Sequence, residues 1–364
     1  MKIGIIGTRG IPNHYGGFEQ FAEYLSYYLA HQGHEVEVYN SHNHPYKSKV
    51  WNKVRLVHQF DPEYLLGTAG QFIYDLNCIW HTRKAGYDII LQLGYTSSSI
   101  WSFLFPKSSV VITNMDGLEW QRAKYGRFIK RFLRLAERLG VNGSDVLVAD
   151  SIGIQQYLKE KYNVHSHFIP YGANLFTDPD ESIIDKFQVS SFQYNLLIAR
   201  MEPENNIEVI LDGVVESGVK NPFLVIGSTG NRFGTKLVLK YKEYSFIRFM
   251  GPLYDIIQLN NLRYFSNIYF HGHSVGGTNP SLLEAMASNS LICANENVFN
   301  LAILEKDAYY FKTAIDVARV LKSVQKDGNE MKKMFNNIDK INSTYNWSKV
   351  NSQYQELFLS SIRK

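Results

Sequence analysis

The sequence predicts an α/β protein of two doubly wound, Rossmann-like domains facing a central cleft. Short apolar runs alternate with helical stretches through the first half, the pattern of a parallel sheet covered on both faces. The alternation stops at residues 173–193 and then begins again. The chain has 364 residues, two domains' worth at roughly 150 residues each.

Taken in order, "KIGIIG" (2–7) reads as a buried strand followed by a glycine-rich loop. A helix is predicted from Phe18 to about Gln32, closed by Gly33 at a C-cap position. Further strands are predicted at "HEVEVYN" (34–40), "YDIILQLG" (87–94), "SSVVITNM" (108–115), "DVLVADS" (145–151) and "SHFIPYG" (166–172), with helical patterns between them. Residues 173–193 are rich in Asp, Pro and Ser and read as a linker. The second domain, 194–347, is predicted from strands at 194–200, 223–228, 246–251, 266–272 and 291–295, with helices at 205–217, 234–243 and around Glu284. A last helix, 348–364, is expected to return to the first domain, 1–172. Ligands belong at the carboxyl ends of the strands, in the cleft.

Composition narrows the classes. Cys78 and Cys293 are the two cysteines and lie far apart, so neither a disulfide framework nor a metal spacing is available and a reducing, cytoplasmic compartment fits. "MKIGIIGTRG" reads as strand and turn rather than a signal peptide, because its apolar run is short and broken by glycine. No apolar run approaches the roughly 18 residues of a membrane span. A net charge of +4 does not by itself imply nucleic acid.

Glycines 4, 7 and 10 have GxxGxxG spacing rather than GxGxxG. The second strand ends at Tyr39-Asn40 with no acid for a ribose, so the dinucleotide fingerprint is not met. Gly16 and Gly17 directly precede the first helix and leave backbone N–H groups open at its positive end for an anion or a sugar. A structural turn is the other reading of this loop. Asp116, in "NMDGLEW" (114–120), falls at a strand's carboxyl end, although Asp before Gly is also a common turn. The stretch 120–138 carries seven Lys or Arg against one acid. Arg127, Arg131, Arg134 and Arg138 fall on one helical face, with Lys130 nearby, and Phe128, Ile129, Phe132, Leu133 and Ala136 on another. Such a helix suits an anionic membrane surface, and equally an ordinary packed position.

Arg200 ends the first strand of the second domain, where its fork suits a diphosphate; a surface ion pair is the alternative. In "HGHSVGGTNPSLLEAMA" (271–287), Gly276 and Gly277 lead to Thr278 or Asn279 as helix cap and to Pro280 in the first turn. Glu284 lies about one turn further, placed to accept both hydroxyls of a ribose while a diphosphate takes the helix end. A capped structural helix with a solvated Glu is the plainer reading. Gly227, closing the strand 223–228, completes the donor-binding set. No metal site is expected: His271 and His273 straddle Gly272 without HExxH spacing, and "DPD" (178–180) sits in the linker around a proline.

These residues together resemble retaining glycosyltransferases of family 4, which have the GT-B fold. The resemblance covers nearly the whole chain. Glu284 in "PSLLEAMA" matches the second glutamate of the family's signature, and Arg200 matches its diphosphate-binding arginine. Gly276 stands at the first glutamate position and Asn205 at the lysine position, both departures. "GTRGIPNHYGGFEQF", "NMDGLEWQRAKY" and "ARMEPENNI" are similar to a subgroup with a DUF1972-type first domain that includes capsule and O-antigen rhamnosyltransferases. The resemblance implies metal-independent transfer of rhamnose from dTDP-rhamnose to a lipid-linked saccharide at the cytoplasmic face of a membrane. Asp116, Arg200 and Glu284 would be the catalytic residues and Arg127, Lys130, Arg131 and Arg134 the acceptor and membrane face. A UDP-sugar epimerase and a non-catalytic sugar-nucleotide binder are the alternatives from other classes.

Overall fold

The structure is a computed structural model and describes residues 1–14, 16–115, 117–122 and 125–362. The chain divides into two compact units. The first joins residues up to Tyr171 with the terminal segment from Trp347, and the second is built on Gly172–Asn346.

In the first unit the elements are β1 (Lys2–Ile6), α1 (Gly17–His31), β2 (Glu35–Ser41), β3 (Val50–Trp51), β4 (Val54–Gln59), α2 (Glu63–Leu66), α3 (Gly70–Ala85), β5 (Ile89–Leu93), β6 (Val110–Asn114), α4 (Arg127–Asn142), β7 (Val146–Ala149), α5 (Ile152–Tyr162) and β8 (His167–Phe168). They form one sheet of order β3-β4-β2-β1-β5-β6-β7-β8, parallel except for the edge hairpin β3–β4. The second unit follows with α6 (Ile207–Ser217), α7 (Arg232–Tyr241), α8 (Ile256–Phe265), α9 (Pro280–Ala287), α10 (Val298–Leu304), α11 (Ala314–Ser323) and α12 (Met331–Ser343). Its strands are β9 (Asn195–Ile198), β10 (Phe223–Ile226), β11 (Ile247–Gly251), β12 (Tyr269–His271), β13 (Ile292–Asn295) and β14 (Tyr309–Phe311), in the all-parallel order β11-β10-β9-β12-β13-β14. The last helix, α13 (Trp347–Ile362), packs on the first unit: Asn114 Nδ2 donates to Tyr354 Oη at 3.1 Å and Tyr28 Oη to Gln355 Oε1 at 2.9 Å.

Both sheets are doubly wound, as the alternation predicts. Strand order reverses between β1 and β5 in the first and between β9 and β12 in the second. Loops on either side of such a switch diverge and leave a crevice at the strands' carboxyl ends. Leu197, Val225 and Phe270 are buried to 0% exposure because parallel strands are covered on both faces.

Three expectations are corrected. The strand predicted at 166–172 is only His167–Phe168. The predicted linker is ordered by a 3-10 helix, Glu181–Phe187, because Ile184 is buried and Asp180 caps the turn from Ser182 N; that carboxylate is a cap. On α4, Phe128 and Ile129 do not belong to the buried face but are 85% and 49% exposed. The inner stripe is Leu133, Ala136, Glu137, Gly140 and Val141, and it includes the segment's one acid.

Candidate functional site

In the second unit, β9 ends at Ile198 and the chain turns through Arg200 into a 3-10 turn, Pro203–Asn205. Asn205 is buried, and its Nδ2 donates to Arg200 O at 2.7 Å, fixing the bend that carries the arginine. Arg200 itself is exposed, and among the described residues its guanidinium has no hydrogen bond or ion pair. Across the switch point, β12 delivers Gly272, where a Cβ would lie 1.9 Å from Asn205 O; only glycine permits this approach. Asn206 Nδ2 donates to Gly272 O at 2.8 Å, and Ser274 Oγ donates to Glu204 O at 2.8 Å. The β9 and β12 loops are therefore laced together, with Arg200 at their rim.

The next turn starts α9. Gly276 has φ +122 with open space beside it, and Asn279, not Thr278, supplies the cap by accepting from Ser281 N at 2.9 Å. Pro280 occupies the first turn, where a missing N–H costs nothing. Gly227 has a packing reason of its own: at φ +156 a Cβ would meet Ala199 O at 2.1 Å.

Glu284, partly buried on α9, has a partner that the sequence reading missed. Arg263 of α8 is 1% exposed and donates to Glu284 Oε2 at 2.6 Å. It also donates to Asn260 Oδ1 at 2.9 Å and Ser281 Oγ at 3.3 Å. A buried guanidinium requires a counter-charge, and Glu284 provides it. "NNLRYF" shows a helix but nothing that marks this Arg as buried; the pairing is a product of the fold.

His271 and His273 stack with ring centroids 5.4 Å apart. Burial, reinforced by the Arg263 charge, pushes His271 down to about 3. Burial, then His271 and Arg200, push His273 well below its ordinary value. Both rings are neutral at physiological pH. Around the same crevice, both carboxylate oxygens of Glu204, Asn205 Oδ1 and His271 Nε2 are buried without a hydrogen-bond partner among the described residues. Buried polar atoms are ordinarily satisfied, so this crevice has hydrogen-bonding capacity to offer a polar ligand. Among the described residues no group of three metal-ligating side chains forms.

In the first unit the glycine-rich loop is held from within. Gly7 has φ +85, and a Cβ would lie 2.2 Å from Leu93 O. Gly16 is the N-cap of α1 without a side-chain bond, and Gly17 is the first helical residue. Glu19, in the first turn and 3% exposed, accepts from Arg9 N at 2.8 Å and Thr8 Oγ1 at 3.2 Å. The helix's positive end thus already carries a carboxylate.

Asp116 lies outside the described residues. The loop after it is tied down by Glu137, the buried acid of α4. Glu137 accepts from Tyr162 Oη at 2.6 Å, Tyr157 Oη and Lys161 Nζ at 2.7 Å, Trp120 Nε1 at 3.0 Å and Tyr95 Oη at 3.4 Å. On the outer face of α4, Arg127, Arg131 and Arg134 are exposed and Lys130 is partly so, while Arg134 stacks over Trp120 at 4.5 Å. Among the described residues no helix is long and apolar enough to cross a membrane.

Two doubly wound units of this kind define the GT-B fold of nucleotide-sugar glycosyltransferases. Residues 1–174 match the model of a domain of unknown function, DUF1972. No curated protein matches the chain. Among solved structures it is similar to sucrose-phosphate synthase from Thermosynechococcus elongatus, with a TM-score of 0.81 at 16% identity over 100% of this chain and 99% of that one. A glycosyltransferase from Rickettsia africae ESF-5 gives 0.68 at 14% identity over 100% and 98%. HepE from Anabaena, crystallised with UDP, gives 0.74 at 14% over 99% and 100%. At these identities the likeness carries the fold.

Proposed function

We propose that the protein is a metal-independent, retaining glycosyltransferase of family 4 that moves a sugar from a nucleoside-diphosphate donor to a lipid-linked saccharide. The observation that carries this is the second-unit crevice, where an exposed Arg200, an Asn279-capped helix start and buried polar atoms converge, the arginine and these atoms having no hydrogen-bond partner among the described residues. The likeness to HepE, solved with UDP and with UDP-glucose, supports a nucleotide-sugar as the occupant.

In this reading Arg200 and the N–H groups at the start of α9 take the diphosphate and stabilise its charge as the bond to the sugar breaks. Glu284, oriented by Arg263, accepts the ribose hydroxyls. The leaving phosphate oxygen takes the acceptor's proton on the face the sugar leaves, which gives retention. Asp116 contacts the transferred sugar or the acceptor. Arg127, Lys130 and Arg131, with exposed Phe128, bring the enzyme to the cytoplasmic face of an anionic membrane, where a lipid-linked acceptor resides. The motif resemblance to rhamnosyltransferases makes dTDP-rhamnose the first donor to try.

A thermal-shift screen against UDP- and dTDP-sugars tests the reading, because a ligand of the native state raises the melting temperature. Product analysis follows with the best donor, with and without acceptor. Donor consumed only with acceptor supports transfer. Conversion of donor alone indicates an epimerase, and binding without consumption a binding protein.

A further inference from the structure

The loop that leaves β12 carries a side chain that none of these roles uses. His273 lies just past the strand, and its ring stacks on that of His271 with centroids 5.4 Å apart. Its backbone is held from two sides. Asn297 Nδ2 and Asn300 Nδ2 donate to His273 O at 2.9 and 3.0 Å. The next residue, Ser274, donates from its N to Glu204 O at 3.1 Å. The loops after β9 and β13 therefore fix this stretch before any ligand arrives, which is the condition for a precise contact.

The surroundings of the ring define what it can bind. His273 is partly exposed, and among the described residues neither ring nitrogen makes a hydrogen bond or ion pair. The charged and titratable groups that face it are His271 of β12, Arg200 from the β9 loop and Arg122, which clusters with the second unit. Burial acts first, then His271 and the two arginine charges, and together they keep the imidazole neutral. A neutral imidazole offers one N–H donor and one lone-pair acceptor. An anion meets the donor but is repelled by the lone pair, and Arg200 is the better partner for it. A metal is disfavoured because no ligating trio forms among the described residues. A hydroxyl both donates and accepts, so it suits either nitrogen. Room for such a group exists on the same loop, where Gly276 has open space in place of a side chain.

We propose that His273 is a specificity-determining contact, its uncharged ring hydrogen-bonding a hydroxyl of the sugar whose diphosphate Arg200 holds. The inference rests on the glycosyltransferase reading and adds to it the residue that distinguishes one donor sugar from another. Charge divides the work between the two side chains. Arg200 meets the diphosphate, which every such donor carries, and His273 meets the uncharged part, which differs between donors. Because the ring is neutral with and without ligand, the contact forms without uptake of a proton.

The test compares bare nucleotide with nucleotide-sugar by titration calorimetry on the full chain, using UDP with UDP-glucose and dTDP with dTDP-rhamnose. The proteins are the parent, His273→Ala and His273→Gln. For the pair the parent binds, His273→Ala should weaken the nucleotide-sugar about fivefold or more, the scale of one hydrogen bond, and the bare nucleotide by less than about twofold. Gln keeps a donor and an acceptor, so His273→Gln should recover the nucleotide-sugar affinity to within about threefold of the parent. Between about pH 6 and 8, titrations in buffers of different ionisation enthalpy should show no proton uptake that depends on His273. Histidine-labelled NMR of the parent, with His273 assigned from the Gln variant, reads the contact without relying on the Ala variant folding. The ring signals should move with the nucleotide-sugar beyond their shift with the nucleotide. Equal losses for both ligands, no loss, proton uptake that disappears in His273→Gln, or ring signals indifferent to the sugar would each overturn the proposal. A parent chain that binds none of the four ligands would sink the glycosyltransferase reading and this contact together, a result distinct from a parent that binds them and a variant that loses nothing.

Discussion

Arg263 and Glu284 form an ion pair at 2.6 Å in which the guanidinium is 1% exposed. The pair makes Glu284 a structural residue as well as a candidate ligand of the donor. Removing one partner of a buried pair typically costs about 3–5 kcal/mol, because the other charge is left uncompensated. Glu284→Ala is therefore expected to lower stability on that scale in urea denaturation, and an unchanged midpoint would contradict the pairing. Glu284→Gln retains an acceptor for Arg263 though not its counter-charge, and should cost less stability than Glu284→Ala. It should stay folded and bind a nucleotide-sugar about 1–3 kcal/mol more weakly.

Arg200 is the converse case. Its side chain is exposed and, among the described residues, makes no hydrogen bond or ion pair. Arg200→Ala should change stability by less than about 0.5 kcal/mol. The same variant should lose most of the melting shift given by a nucleoside diphosphate. A full shift retained in Arg200→Ala would remove the residue from the donor site.

Asp75 makes a statement about pH. Its folded value of about 7 lies above its ordinary 3.8, so the native state holds the proton more tightly than the unfolded chain does. Its stabilising contribution is complete below about pH 4 and is lost as pH rises through about 7. Asp75→Asn mimics the protonated form and should abolish this slope. Between about pH 5 and 8 the parent should lose roughly 2–3 kcal/mol relative to the variant, at 1.36 kcal/mol per pKa unit. Parallel stability curves would show that Asp75 titrates normally.

Glu137 holds Trp120, Tyr95, Tyr157, Lys161 and Tyr162 at one carboxylate. Glu137→Leu should cost about 1–3 kcal/mol, since the buried Tyr95 hydroxyl and four partly accessible donors lose their acceptor together. Near-UV circular dichroism should report the released aromatic rings. A native spectrum and stability would mean the network carries little.

The outer face of α4 tests the membrane contact without touching a core residue. Arg127→Ser with Arg131→Ser should weaken cosedimentation with anionic vesicles by about 1 kcal/mol per charge at low salt. Phe128→Ser should weaken it further through lost apolar contact. Arg134 is a poor choice because its guanidinium already stacks on Trp120. Identical binding of the triple variant would leave α4 a purely structural helix.

The features legible in the amino-acid order are those whose causes are local. Apolar runs of four to six residues between turn signals mark β1, β5 and β10, and Asn279-Pro280 marks the start of α9. The edge strand β4, "VRLVHQ", is less marked, because Arg55, His58 and Gln59 dilute its apolar signal. On α4 the basic residues suggest one wet face, yet the acid proves to be inside and Phe128 outside, since five donors from other elements await Glu137.

Two α/β units, their glycine-lined loops and the positions of Arg200, Asn279 and Glu284 can be read along the chain, because strand period, helix caps and turns depend on neighbours a few residues apart. Folding in three dimensions is what lets Arg263 neutralise Glu284 across 21 residues, Glu137 gather donors from three other segments, and Asp61, Asp75 and Ser97 share a cavity. Those arrangements depend on desolvation. A charge changes its meaning when it is taken out of water, and which charges leave water is settled by packing between distant segments.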